Sequence, residues 1–160
     1  KEMAPQVSAF KDEYEKDILK AREKEISLLK AHYFRFMDSQ QWEHWPQLFT
    51  DDVHAIYEGA PRHSADDPRD IRIQGCDKLV EGVQTLMKGA QSIHQGFMPE
   101  LKMISNDQAE GVWSMFDYVM LPTCHFRGWG HYFEEYQKNN GQWQIKKIHL
   151  TRLHTEEKWL

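Results

Sequence analysis

The segment KAHYFRFMDSQQWEHWPQLFTDD, residues 30–52, constrains the fold more than any other part of the chain. Ile26, Leu29, Tyr33, Phe36 and Met37 recur at spacings of three and four, the pattern of a helix with one apolar stripe packed on a sheet. One acid, Asp38, stands where that stripe should turn inward. The dipole of a helix end disfavours an anion there, and a buried carboxylate costs free energy unless a donor meets it. On an ideal wheel Asp38 lies beneath Phe34 and about 140° from Tyr33. The two can share a pocket only if that pocket wraps the helix end.

The rest of the chain supplies the sheet. Residues 1–20 read as a polar arm, broken at Pro5 and then helical, and residues 21–160 read as one domain. QWEHWPQLF makes a short second helix, and VHAIYEG (53–59) alternates as a strand. The charged, two-proline segment 60–75 reads as a long loop. Leu79, Val83, Leu86 and Met87 restore helical spacing over 76–90. Segment 92–105 is a strand bent at Pro99, and 108–121 is a long alternating strand. Residues 130–153 form two strands around Asn140-Gly141, a strong hairpin signal. Helices, one strand, a helix, then four strands predict an α+β domain in which a curved antiparallel sheet wraps the long N-terminal helix.

Composition excludes several classes. The net charge of −5, with no basic cluster interleaved with aromatics, argues against nucleic-acid binding. No apolar run reaches membrane-spanning length. Cys76 and Cys124 stand alone, which suggests a reducing compartment; a cytoplasmic location and no membrane partner are expected. Nine His are present without HExxH, zinc or EF-hand spacing, so no metal and no cofactor is expected. There is no GxSxG elbow and no glycine-rich phosphate loop.

Two further polar residues fall in apolar rows. His94 shares a strand face with Gly96, whose missing side chain would leave room for a ligand. Asp117 falls in the row of Trp113, Met115 and Val119, which should face the interior. An inward acid and an inward imidazole are the minimum for acid–base work, because the carboxylate fixes the tautomer and raises basicity. Tyr57, on the face of Val53 and Ala55, can present a phenol to the same interior. His131 and His149 lie on the arms of the last hairpin, with His131 expected inward.

The motifs YFRFMD…W (33–42), SIHQG (92–96), AEGVWSMFDY (109–118) and HYFEEYQKNNGQWQIKKIHLTR (131–152) resemble the SnoaL-like branch of the nuclear transport factor 2-like superfamily. The similarity is greatest to bile-acid dehydratases, with scytalone dehydratase and hexachlorocyclohexane dehydrochlorinase further away. The resemblance implies a cone-shaped α+β domain with an apolar pocket. It makes Asp38 the helix acid and His94 the strand histidine of a lyase, with Tyr57 and Asp117 as further catalytic groups. Tyr33, Trp113, Met115, Phe97 and His131 are the expected substrate-binding residues. The implied activity is a cofactor-independent, dehydratase-type elimination on a bulky apolar cyclic or aromatic substrate. Alternatives are a formaldehyde-releasing lyase or an isomerase or cyclase using the same pair, and a non-catalytic subunit resembling the small subunit of a ring-hydroxylating dioxygenase. A homo-oligomer, trimer or dimer, is expected. Segments 60–75 and 121–130 match nothing in the family pattern.

Overall fold

The computed structural model describes residues 3–160, with side chains from Ser8 onward; the first two residues of the expected arm lie outside it. Helix α1 runs unbroken from Met3 to Asp38. Pro5 falls in its first turn, where a missing N–H leaves no hydrogen bond unmade, so it opens the helix rather than breaking the arm. Side chains 8–17 are exposed, and burial begins in earnest at Ile26, Leu29, Tyr33 and Met37. The helix stops where Gln40 turns to a positive φ of 53°. The Gln40 and Gln41 N–H groups then donate to the Met37 and Phe36 carbonyls, a Schellman closure with Gln in the usual glycine place. The Gln40 side chain donates to the Met87 and Ala90 carbonyls. That ties the helix end, and Asp38 with it, to the start of the third strand.

A 3₁₀ turn (Trp45–Leu48) leads into β1 (Phe49–Tyr57), followed by β2 (Ile71–Gln74), α2 (Cys76–Leu86), β3 (Gln91–Met103), β4 (Gln108–Met120), β5 (Cys124–Asn139) and β6 (Gln142–Trp159). One six-stranded sheet has the order β2-β1-β6-β5-β4-β3. All neighbours are antiparallel except β1 and β6, which pair in parallel. β2 emerges from the segment expected to be all loop, because Ile71–Gln74 find Tyr57–His54 as an edge to pair with. β5 and β6 extend past the expected hairpin, and Cys124–Trp129 continue the ladder against Trp159–His154. Near Pro99 the β3–β4 register shifts between Phe97 and Glu100, with Met98 at a φ of 43°. Asn140 and Gly141 both take positive φ, as a type I′ turn demands.

The core lies between the inner sheet face and the α1 stripe. No helix among the described residues is long and apolar enough to cross a membrane.

Segments 60–75 and 121–130 meet each other. Arg62 makes paired contacts of 2.9 and 3.1 Å to Glu157 near the end of β6, and Arg69 reaches both Glu157 and Thr155. Thr123, in the β4–β5 turn, donates to the His63 carbonyl. The Arg62 guanidinium holds the Glu157 carboxyl below the usual carboxylate range, so this link is complete above the ordinary carboxylate pKa and is lost as pH falls through the lowered value. Glu157→Gln is expected to raise amide hydrogen exchange in residues 60–70 about fivefold to tenfold at neutral pH, leaving β4 and β5 unchanged. Unchanged exchange would mean the backbone bonds alone hold the segment.

Candidate active site

Asp38 finds its partners 54 to 56 residues downstream. Its Oδ1 accepts from the Ser92 hydroxyl at 2.8 Å and stands 2.6 Å from His94 Nδ1, while its Oδ2 accepts the His94 backbone N–H at 2.8 Å. Three donors thus offset the cost of placing an anion at a helix C-terminus. A carboxylate on Nδ1 keeps the proton there and leaves Nε2 as the free base. That nitrogen faces a second carboxylate, Asp117 Oδ2, at 4.0 Å.

Asp117 is itself clamped. Arg152 Nη1 and Nη2 donate to its two oxygens at 2.7 and 3.0 Å, and Arg152 Nε donates to the Glu58 carbonyl at 3.1 Å. Asp117 and Arg152 side chains are almost fully buried, at 3% and 8% exposure. A fork of this kind is the strongest geometry available to the pair. Beneath it lies Gly128, cross-strand from Asp117. A Cβ there would stand 2.4 Å from Arg152 Nη1 and 2.5 Å from Asp117 Oδ1. Gly128→Ala is therefore expected to push the clamp apart, lowering turnover at least tenfold while thermal stability falls by only a few degrees. Crystallography of the variant would show whether the fork has opened; an intact fork contradicts this reading.

The pocket above these groups encloses about 600 Å³ of empty space, counted out to its mouth. Its polar end holds His94, Asp117, Arg152, Tyr33, Tyr57 and Tyr132; its apolar end is built from β2, α2 and the start of the 60–70 segment. Tyr33 and Tyr57 bring their hydroxyls to 2.9 Å of each other. Burial pushes the Tyr33 and Tyr57 phenols upward, so both remain protonated donors.

Asp38, His94, Tyr57, Asp117 and Tyr33, all expected from the sequence, converge here. Tyr33 belongs to the core stripe and to the pocket at once, lining it together with Met37 one turn on, whereas Asp38 is not part of the lining and bears on the pocket through His94. The other expected binding residues lie elsewhere. Trp113 is buried with its indole N–H on the Tyr136 hydroxyl, and Met115 lies behind Arg152, its Sδ 3.5 Å from Nη1. Phe97 and His131 line a groove on the opposite sheet face, with Phe116 and Trp129. The reason is alternation: Phe97 is an odd number of residues from His94, and Tyr132, not His131, faces inward opposite Trp113. Nor does Gly96 leave space for a ligand. Phe34 fills it, with a ring carbon 2.7 Å from where a Cβ would stand, and stacks alongside His94 at 6.3 Å.

Sequence reasoning missed Arg152 and Ser92. Arg152 continues the inward row of Ile148 and Leu150 at a spacing of two, a signal present in the sequence. It also missed a buried ion pair, Lys30 Nζ to Glu134 Oε2 at 2.7 Å, both side chains wholly inaccessible. Lys30 falls four residues after Ile26 and three before Tyr33, on the stripe itself. Among the described residues no three His, Cys, Asp or Glu side chains converge as a metal site requires.

This fold has relatives. Residues 19–149 match the SnoaL-like domain, and the chain belongs to that family. A probable cyclase of Gibberella zeae is 24% identical over 135 residues, covering 81% of this chain and 89% of that protein. Solved structures share the fold. A scytalone dehydratase-like protein of Novosphingobium aromaticivorans superposes with a TM-score of 0.74 at 17% identity, over 91% of this chain and 93% of that one. A type 2 hexachlorocyclohexane dehydrochlorinase does so with a TM-score of 0.74 at 18% identity, over 90% and 93%.

Proposed function

We propose that the protein is a cofactor-independent lyase of the dehydratase type, acting on a bulky, mostly apolar cyclic or aromatic substrate. The observation that carries this reading is the Asp38–His94 contact of 2.6 Å, with Nε2 turned into a pocket that is polar at one end and apolar at the other. His94 Nε2 takes a proton from a carbon next to a carbonyl. The electron pair of that C–H bond forms the new double bond as the neighbouring C–O bond breaks, and the protonated imidazole returns the proton to the departing oxygen. Negative charge develops on the carbonyl oxygen, where the O–H that the Tyr33–Tyr57 pair does not use between its two hydroxyls and the Arg152 guanidinium stand ready as donors. Asp117 holds Arg152 at that position. The apolar end orients the ring and excludes water, which strengthens every polar contact inside.

An isomerase or cyclase using the same base is the second reading, favoured by the likeness to the probable cyclase. A non-catalytic subunit would have no need of the aligned pair or of the open cavity. The test is incubation with a panel of cyclic β-hydroxy ketones, followed by mass spectrometry. Loss of water with wild type and not with His94→Ala is the expected result. Loss of formaldehyde, or turnover without a mass change, assigns the alternatives. Unimpaired turnover by His94→Ala rejects the base. The reading includes a homo-oligomer of two or three copies, which light scattering checks.

A further inference from the structure

Tyr132 is 1% exposed as a residue and lines the pocket, and its hydroxyl, with no hydrogen-bond partner among the described residues, is left open to the cavity. A buried phenol normally finds a partner. The face of its ring lies on the Lys30 ammonium, with Nζ 3.5 Å from the ring centre, while Tyr33 and Phe34 close around the same cation at 4.0 and 4.8 Å. We propose that the Tyr132 hydroxyl is a further substrate contact, donating to the oxygen that gains negative charge, and that Lys30 beneath the ring is a positioning residue that strengthens that donor.

The effect of Lys30 runs through the ring. A cation on an aromatic face draws π density toward itself and away from the oxygen, which makes the O–H a better donor. Burial, with the nearby Asp117 charge, keeps the Tyr132 phenol protonated far above its ordinary range, so it has a proton to give. The ion pair also needs explaining. Buried pairs add little stability over apolar residues of similar size, so Lys30 and Glu134 do not earn their place by stability alone. The groups facing Lys30 are Glu134, Tyr33, Phe34 and Tyr132; Glu134 in turn accepts from Tyr136.

The proposal rests on the reading that an oxyanion forms in this pocket, but its test needs no turnover. Binding of 2,4-dinitrophenolate, an anion at neutral pH, is compared by calorimetry with binding of neutral 1,3-dinitrobenzene. Tyr132→Phe keeps the ring on Lys30 and is expected to weaken the phenolate about tenfold to a hundredfold, leaving dinitrobenzene within about twofold. The Lys30→Met/Glu134→Leu double variant keeps the hydroxyl and is expected to weaken the phenolate alone, by about threefold. Unchanged phenolate binding by Tyr132→Phe, equal loss of both probes, or a wild type that does not prefer the phenolate overturns the Tyr132 contact. A double variant that binds the phenolate like wild type overturns the role of Lys30. Loss of catalysis in His94→Ala with phenolate binding intact separates the two proposals.

Discussion

Lys30→Met is expected to destabilise the protein by about 3–5 kcal/mol, enough to lower the midpoint of thermal unfolding by roughly 10 °C or more. The cause is not the lost contact with Lys30 but what remains. Glu134 would stay wholly buried with one oxygen accepting from Tyr136 at 2.7 Å and the other left without the ammonium it now accepts from. Burial already pulls the Lys30 ammonium down to about 8, against the opposing pull of Glu134, so at neutral pH most of the lysine is still charged. Removing both charges is a different experiment. Lys30→Met/Glu134→Leu is expected to recover most of the loss, leaving about 1 kcal/mol for the Tyr136 hydroxyl that no longer has its carboxylate. Urea denaturation followed by circular dichroism measures both. A single variant as stable as wild type would mean that Glu134 finds another donor.

His94→Ala is expected to lower kcat by about 10²–10⁴-fold, the range a positioned proton-transfer group contributes, with KM little changed. The fold should survive it, because the imidazole lies at the pocket wall and not in the main core. Asp38→Asn tests a subtler point. Asp38 accepts from three donors, Ser92, the His94 backbone and the His94 ring. An amide has only one acceptor oxygen, and its NH₂ must face a donor or force the imidazole into its other tautomer. The variant should lose about 10–100-fold in kcat. Full activity in Asp38→Asn would show that Ser92 and packing are sufficient to hold the ring.

Much of the fold was legible because its signals are local. The apolar spacing of α1, the alternation of β4 and the Asn140-Gly141 turn each depend on residues near one another in the chain. So were Asp38, His94 and Asp117, each a charge or imidazole out of place in an apolar row. Harder to see were Lys30, Glu134 and Arg152. All three keep the inward period of their elements, but a single charged residue on such a row looks the same whether it is solvated or paired. Glu134 alternates with the buried Tyr132 and Tyr136, and only the approach of α1 shows which lysine answers it.

The amino-acid sequence alone determined most of the elements, the inward faces of most of these and the mismatch of Asp38 with its surroundings. Tertiary structure alone decided the parallel pairing of β1 with β6, the strand hidden in segment 60–75, and the face on which His131 and Phe97 lie. It also decided that Asp38 answers to His94 and Asp117 to Arg152. The physical reason is that hydrophobic periodicity is a property of one element, whereas the partner of a buried charge lies on another. Which donor reaches which carboxylate depends on where the curved sheet closes around the helix.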